Sequence, residues 1–83
     1  MDRTEVEKRI KKVIAGVLKM KEENISSEAN FIFDLGADSL QSLQLVAGFE
    51  EEFDIEMNED AALGVQSVSD AVTFIKSYVD AKV

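Results

Sequence analysis

Ser39 has the setting in this chain that best suits covalent chemistry. It lies in Asp34-Leu35-Gly36-Ala37-Asp38-Ser39-Leu40, where Gly36 permits backbone angles that other residues resist. Asp38 or Ser39 is suited to cap the periodic stretch that follows. The hydroxyl therefore falls where a turn becomes a helix N-terminus. Unpaired N–H groups and the positive end of the helix dipole make such a place hospitable to a covalently attached phosphate. The sequence contains no histidine and no cysteine, so Ser39 has no imidazole to activate it and a serine-hydrolase triad in its common form is excluded. A lysine base would have to come from Lys76 or Lys82 if it followed the motif. A calcium-binding EF-hand loop fails because oxygen ligands are missing at the required spacing. A nucleophile elbow fails because no glycine follows the serine at the required place.

The segments that must position this serine read as helices. Val6, Ile10, Val13, Ile14, Val17 and Leu18 recur at helical spacing, which predicts a first helix from about Thr4 to Leu18. Thr4 and Glu7 have the spacing of a capping box. Lys8, Arg9, Lys11 and Lys12 mostly face away from the apolar stripe, as a solvated face. From Lys19 to Asp38 the period is lost, leaving a long connection in which Ile25, Phe31, Ile32 and Leu35 are the candidates for packing.

A second helix is expected from Ser39 to Phe53. A helical wheel places Leu43, Val46, Phe49 and Phe53 on its apolar side and Gln41, Gln44, Gly48, Glu51 and Glu52 on its solvent side. Glu50 falls nearer the apolar side, from which its long side chain would reach solvent. Residues 54–66 form a connection with one helical turn around Glu59 to Leu63, ended by Gly64. A last helix begins near Ser67, with Asp70 completing a capping pattern, and Val68, Ala71, Val72, Phe74, Ile75, Tyr78 and Val79 cover a broad face. The expected fold is all-α: a small bundle of three main helices plus one short helix, with a long first loop.

Eighty-three residues, 46% of them hydrophobic, suit one domain with a single core, spanning 1–83. Without cysteine, neither disulfides nor thiolate metal sites can support it, and no metal site is expected. No apolar run approaches a membrane span, and the absence of an export signal points to the cytoplasm. Residues 1–21 hold seven Lys/Arg against three acids, and residues 22–83 hold two against fourteen, for a net charge of −8. Such a surface repels nucleic-acid phosphates and anionic membranes. It suits partners with basic patches, although surface acids also serve solubility. The acids are bunched between Glu50 and Asp60.

The motif around Ser39 resembles that of the acyl carrier protein family, Asp-x-Gly-x-Asp-Ser-Leu, at every fixed position. Asn30-Phe31-Ile32-Phe33-Asp34 upstream is similar to the family's approach to the motif. Glu50-Glu51-Glu52-Phe53-Asp54, Asn58-Glu59-Asp60-Ala61 and Val68-Ser69-Asp70-Ala71-Val72 resemble its later landmarks. With these matches in register, an incidental N-cap becomes the weaker explanation.

The resemblance implies a substrate carrier, not an enzyme. Ser39 would carry 4′-phosphopantetheine from coenzyme A, whose thiol holds acyl groups as thioesters in fatty-acid or polyketide-type synthesis. A separate phosphopantetheinyl transferase would attach it with Mg²⁺, and Asp38 would assist at that metal. Leu40 would contact partner enzymes, as would Gln41, Gln44, Glu50 and Glu51 along the second helix. The expected partners are this transferase and acyl-processing enzymes with basic patches, engaging a monomer that neither binds nucleic acid nor inserts stably in membranes. Phe31, Val46, Phe49, Ile55, Met57, Val65 and Ile75 are candidates to shelter an acyl chain.

Gln41 and Gln44 stand where relatives commonly carry acids, Phe33 where they carry a polar or acidic residue, Asn58 where proline is frequent and Lys19 where glycine is frequent. Two alternatives stay open: a peptidyl or aminoacyl carrier using the same arm, and an unmodified acidic module that binds basic proteins through Glu50 to Asp60.

Overall fold

The computed structural model describes residues 1–82 and forms an all-helical bundle. Its helices are α1 (Arg3–Leu18), α2 (Ser39–Phe53), the short α3 (Glu59–Leu63) and α4 (Val68–Lys82), with a 3-10 turn at Glu22–Asn24. Helix α1 packs against both α2 and α4. It does so because Val6, Ile10 and Ile14, spaced by four, form one stripe that is 0% exposed. Val68, Ala71, Val72, Ile75 and Val79 of α4 close the core from the other side. These elements match the expected three long helices and one short one, including the turn at Glu59–Leu63.

Local details differ from the pattern reading. Helix α1 begins one residue earlier than expected, because Asp2 and not Thr4 is its N-cap and accepts from the Thr4 N–H. Glu7 is therefore not part of a capping box and pairs instead with Lys11 one turn on, at 3.4 Å. On α2, Phe49 and Phe53 are buried and Val46 half-buried as expected, but Leu43 is 43% exposed and Leu45, which the wheel assigns to neither side, is buried. With Phe49 taken as the centre of the buried side, Leu45 and Phe53 lie roughly 40° to either side and Leu43 about 120° away. Gly48 and Glu52 then fall on the flank that meets α1 and not on the solvent side. An added Cβ at Gly48 would stand 2.7 Å from Val13 Cγ1. Glu52 accepts from Arg9 Nε at 2.8 Å and lies 3.5 Å from Lys12 Nζ.

Those contacts also take Arg9 and Lys12 out of the purely solvated face assigned to them. The Arg9 guanidinium reaches across to α2, where it also donates to the Glu52 carbonyl and lies 4.8 Å from the centroid of the Phe53 ring.

The long first connection is held in place by backbone. Phe31 N–H donates to the Gln66 carbonyl at 2.9 Å, Val68 N–H to Ala29 at 3.0 Å and Ser69 N–H to Ser27 at 2.8 Å. These bonds tie the loop to the start of α4 and satisfy groups that would otherwise be unpaired. Ile25 and Phe31 are buried as expected and Leu35 is half-buried, but Ile32 is 61% exposed. The chain turns at Asn30, whose Oδ1 accepts from both Ile32 and Phe33 N–H. Only one face of that turn can point inward.

Candidate functional site

The loop delivers Ser39 through two local devices. Asn30 and Asp34 brace the first: Asp34 Oδ2 accepts from Asn30 N–H at 2.7 Å, and the Asp34 and Leu35 N–H groups donate to the Asn30 carbonyl. Gly36 then turns the chain at φ 73°, a region that costs other residues. Ala37 N–H returns to the Phe31 carbonyl at 2.8 Å. The second device is a capping box. Asp38 Oδ1 accepts from Gln41 N–H at 2.8 Å, and Gln41 Oε1 accepts from Asp38 N–H at 3.1 Å. Asp38 is therefore the N-cap, and Ser39 is the first residue of α2.

This division of labour leaves Ser39 available. Its side chain is exposed, and its hydroxyl has no hydrogen-bond partner among the described residues. The N–H groups of Ser39 and Leu40 likewise lack an acceptor there, since the cap uses the Gln41 N–H and the Asp38 carbonyl takes Ser42. A phosphodiester on the Ser39 oxygen would meet these two donors and the positive end of α2, so the residues present fit a phosphopantetheine arm.

Beside Ser39 opens a cavity of about 710 Å³ between the first loop, α2, α3 and α4. Phe31, Val46, Phe49, Met57, Val65 and Ile75 line it, so six of the seven proposed acyl contacts share one space. Ile55 is not in that wall. Ser39 and Asp38 line the same cavity as Ile32, Phe33, Leu43 and Leu63, so the serine stands beside a space with mostly apolar walls.

The other site candidates separate. Leu40 is 63% exposed next to the serine. Gln44 and Glu51 are exposed. Gln41 is half-buried and engaged in the cap, a role signalled by its spacing of three from Asp38. Glu50 does not extend freely to solvent, because its Oε2 accepts from Met57 N–H at 2.8 Å and holds the connection after α2. At that same end, hydrogen bonding from Arg9 lowers the Glu52 pKa below its ordinary 4.5, with the charges of Lys12 and Arg9 adding to the effect and partial desolvation opposing it. Tyr78, absent from the expected site, accepts from Asn58 N–H at 3.1 Å and so holds the entrance to α3. Among the described residues no cluster of three or more acids is placed to hold a metal ion.

Comparison with known proteins points to one family. The family model described as the phosphopantetheine attachment site matches residues 8–75. An acyl carrier protein of Phenylobacterium zucineum (strain HLK1) is 46% identical over 78 residues, covering 94% of this chain and 99% of that protein. A solved structure from Mycobacterium tuberculosis, described as an acyl carrier protein, superposes with a TM-score of 0.79 at 30% identity. It covers 87% of this chain and 96% of its own.

Proposed function

This chain belongs to the acyl carrier protein family, and from that premise we propose that Ser39 is its attachment residue, within a single acyl carrier domain spanning 1–83. Acyl carrier proteins are carriers and not catalysts, and they bear phosphopantetheine. The observation that carries the assignment is the conjunction at Ser39: an exposed hydroxyl on the first residue of α2, beside two unpaired N–H groups and an apolar cavity.

Attachment is performed by a separate phosphopantetheinyl transferase. Ser39 Oγ attacks the pantetheine-bearing phosphorus of coenzyme A, a phosphodiester forms, the pyrophosphate bond breaks and the adenosine bisphosphate leaves. The serine proton passes to a base on the transferase, since this chain has no histidine. Positioning and charge neutralisation govern such transfers. The exposed Asp38 carboxylate, adjacent to Ser39 in the chain, would help to hold Mg²⁺, which would supply that neutralisation during attachment.

When bound, the arm supplies a thiol that holds the acyl group as a thioester. The chain's own part is to anchor the arm at α2, to meet the phosphate with the Ser39 and Leu40 N–H groups, and to shield acyl carbons among Phe31, Val46 and Phe49. The apolar walls of the cavity favour acyl over aminoacyl cargo. Acyl-processing enzymes with basic patches are the partners that the acidic surface suits, and they meet the carrier as a monomer in the cytoplasm. No helix among the described residues is long and apolar enough to cross a membrane.

Incubation with coenzyme A, Mg²⁺ and a promiscuous phosphopantetheinyl transferase, followed by intact mass measurement, tests the assignment. Wild type is expected to gain one phosphopantetheine mass and Ser39→Ala none. Modification of Ser39→Ala would overturn it.

A further inference from the structure

Six large hydrophobic side chains are exposed among the described residues, and five of them surround the Ser39 end: Ile32, Phe33, Leu40, Leu43 and Leu63. Phe33 is the extreme case, 88% exposed. It is not on a loose loop. Its N–H donates to Asn30 Oδ1 at 3.0 Å, and the next N–H donates to the Asn30 carbonyl at 2.9 Å, so a braced turn presents the ring outward. A single exposed apolar residue needs no explanation, but a clustered patch does.

The charges around the patch restrict what can cover it. No charged residue occurs from Ser39 to Phe49, and no basic residue between Lys21 and Lys76. The charges at its edge are acidic, with Asp38 and Glu59 both exposed at the cavity mouth. A second copy presenting the same face would set acid against acid, and an anionic bilayer would do the same. A protein surface that is apolar at its centre and basic at its rim complements both features.

Resting on the reading of Ser39 as the attachment residue, we propose that Phe33 is a docking anchor for an acyl-processing enzyme. That enzyme offers an apolar socket beside the entrance for the arm, rimmed by basic side chains that meet Asp38 and Glu59. Recognition at this end of the carrier is then led by a rigid aromatic side chain, as at the centres of other protein interfaces. The braced turn limits the ordering cost of docking.

The test uses holo-protein loaded with a decanoyl group and the purified ketoacyl synthases of the same organism. Phe33→Ser is expected to raise KM for at least one synthase about tenfold or more, the range for removing a buried aromatic anchor, with kcat retained. Phe33→Leu should recover part of the loss. Because the lost contact is apolar, the increase should persist at high salt, where surface charge pairs fade.

The proposal is overturned if KM stays within twofold for every synthase. It is also overturned if Phe33→Ser speeds thioester hydrolysis without enzyme while leaving KM unchanged, since the ring would then cover the acyl chain. Phe33-dependent cosedimentation with phosphatidylcholine vesicles without a KM effect would instead assign the patch to a membrane. Intact mass keeps the two assignments distinguishable. Wild type that gains no phosphopantetheine refutes the Ser39 reading, and this one with it; normal loading of wild type and Phe33→Ser with unchanged KM refutes the anchor alone.

Discussion

Replacing Gly48 by alanine should destabilise the protein, although glycine within a helix ordinarily costs about 1 kcal/mol relative to alanine. The new Cβ would stand 2.7 Å from Val13 Cγ1 and 4.0 Å from Val17 Cγ2. Val13 cannot readily turn away, because a β-branched side chain in a helix has one strongly preferred rotamer. The helices must then separate slightly, and overpacking of this kind costs typically 1–3 kcal/mol. Set against the propensity gain of about 1 kcal/mol, the net loss is roughly 0–2 kcal/mol. A loss of about 1 kcal/mol would lower Tm by roughly 4–8 °C in a domain of this size.

The cause can be isolated by repeating the substitution in a Val13→Ala background, with urea denaturation followed by helical circular dichroism. Without the Val13 γ-methyls the obstruction is gone, and Gly48→Ala should now stabilise by about 1 kcal/mol. The change of sign between backgrounds is the coupling that a double-mutant cycle reads. If Gly48→Ala stabilises by the same amount in both backgrounds, the close approach of α1 and α2 does not explain this glycine.

Asp38→Ala should cost about 0.5–2 kcal/mol through loss of the N-cap, whereas Ser39→Ala, at an exposed non-cap position, should stay within about 0.5 kcal/mol of wild type; chemical denaturation of the unmodified proteins checks both. Glu52 binds its proton less readily in the folded state than in the unfolded state, so its contribution to stability is present above about pH 4.5 and is lost as pH falls through its lowered folded-state value. The stability difference between wild type and Glu52→Gln should therefore shrink as pH falls below 4.5, and a difference that stays constant as the carboxyl becomes protonated would refute the linkage.

Much of the fold is legible because it is local. The extent of α2 follows from an acidic cap before Ser39 and the end of the periodic pattern at Phe53, and both ends agree with the structure. The short α3 is marked by Gly64 at its end, whereas its N-cap Asn58, which accepts from Ala61 N–H, is not assigned by the pattern reading. The cavity was largely readable too, since apolar residues from different segments must converge if the bundle closes. Relations across segments were not readable. Nothing in the pattern of α2 alone says that α1 approaches at Gly48, and the assignment of Leu43 to the core and Glu52 to solvent failed for that reason. The inward turn of Phe31 and outward turn of Ile32 likewise depend on side-chain acceptors at Asn30 that periodicity does not register.

The same distinction changes how the charge on α2 is understood. Sequence offers Glu50, Glu51 and Glu52 as one acidic cluster for basic partners, but the structure divides it. Glu50 holds Met57 N–H, Glu52 is engaged by Arg9 and Lys12, and Glu51 remains exposed. Carboxylates already hydrogen-bonded at home have less to offer a partner, because docking on them exchanges one contact for another. At the other end, Gln41 is committed to the cap and Gln44 is uncharged. A partner approaching Ser39 along α2 therefore meets few free charges and several apolar side chains. Shape and apolar contact must supply more of its recognition than the net charge of −8 suggests.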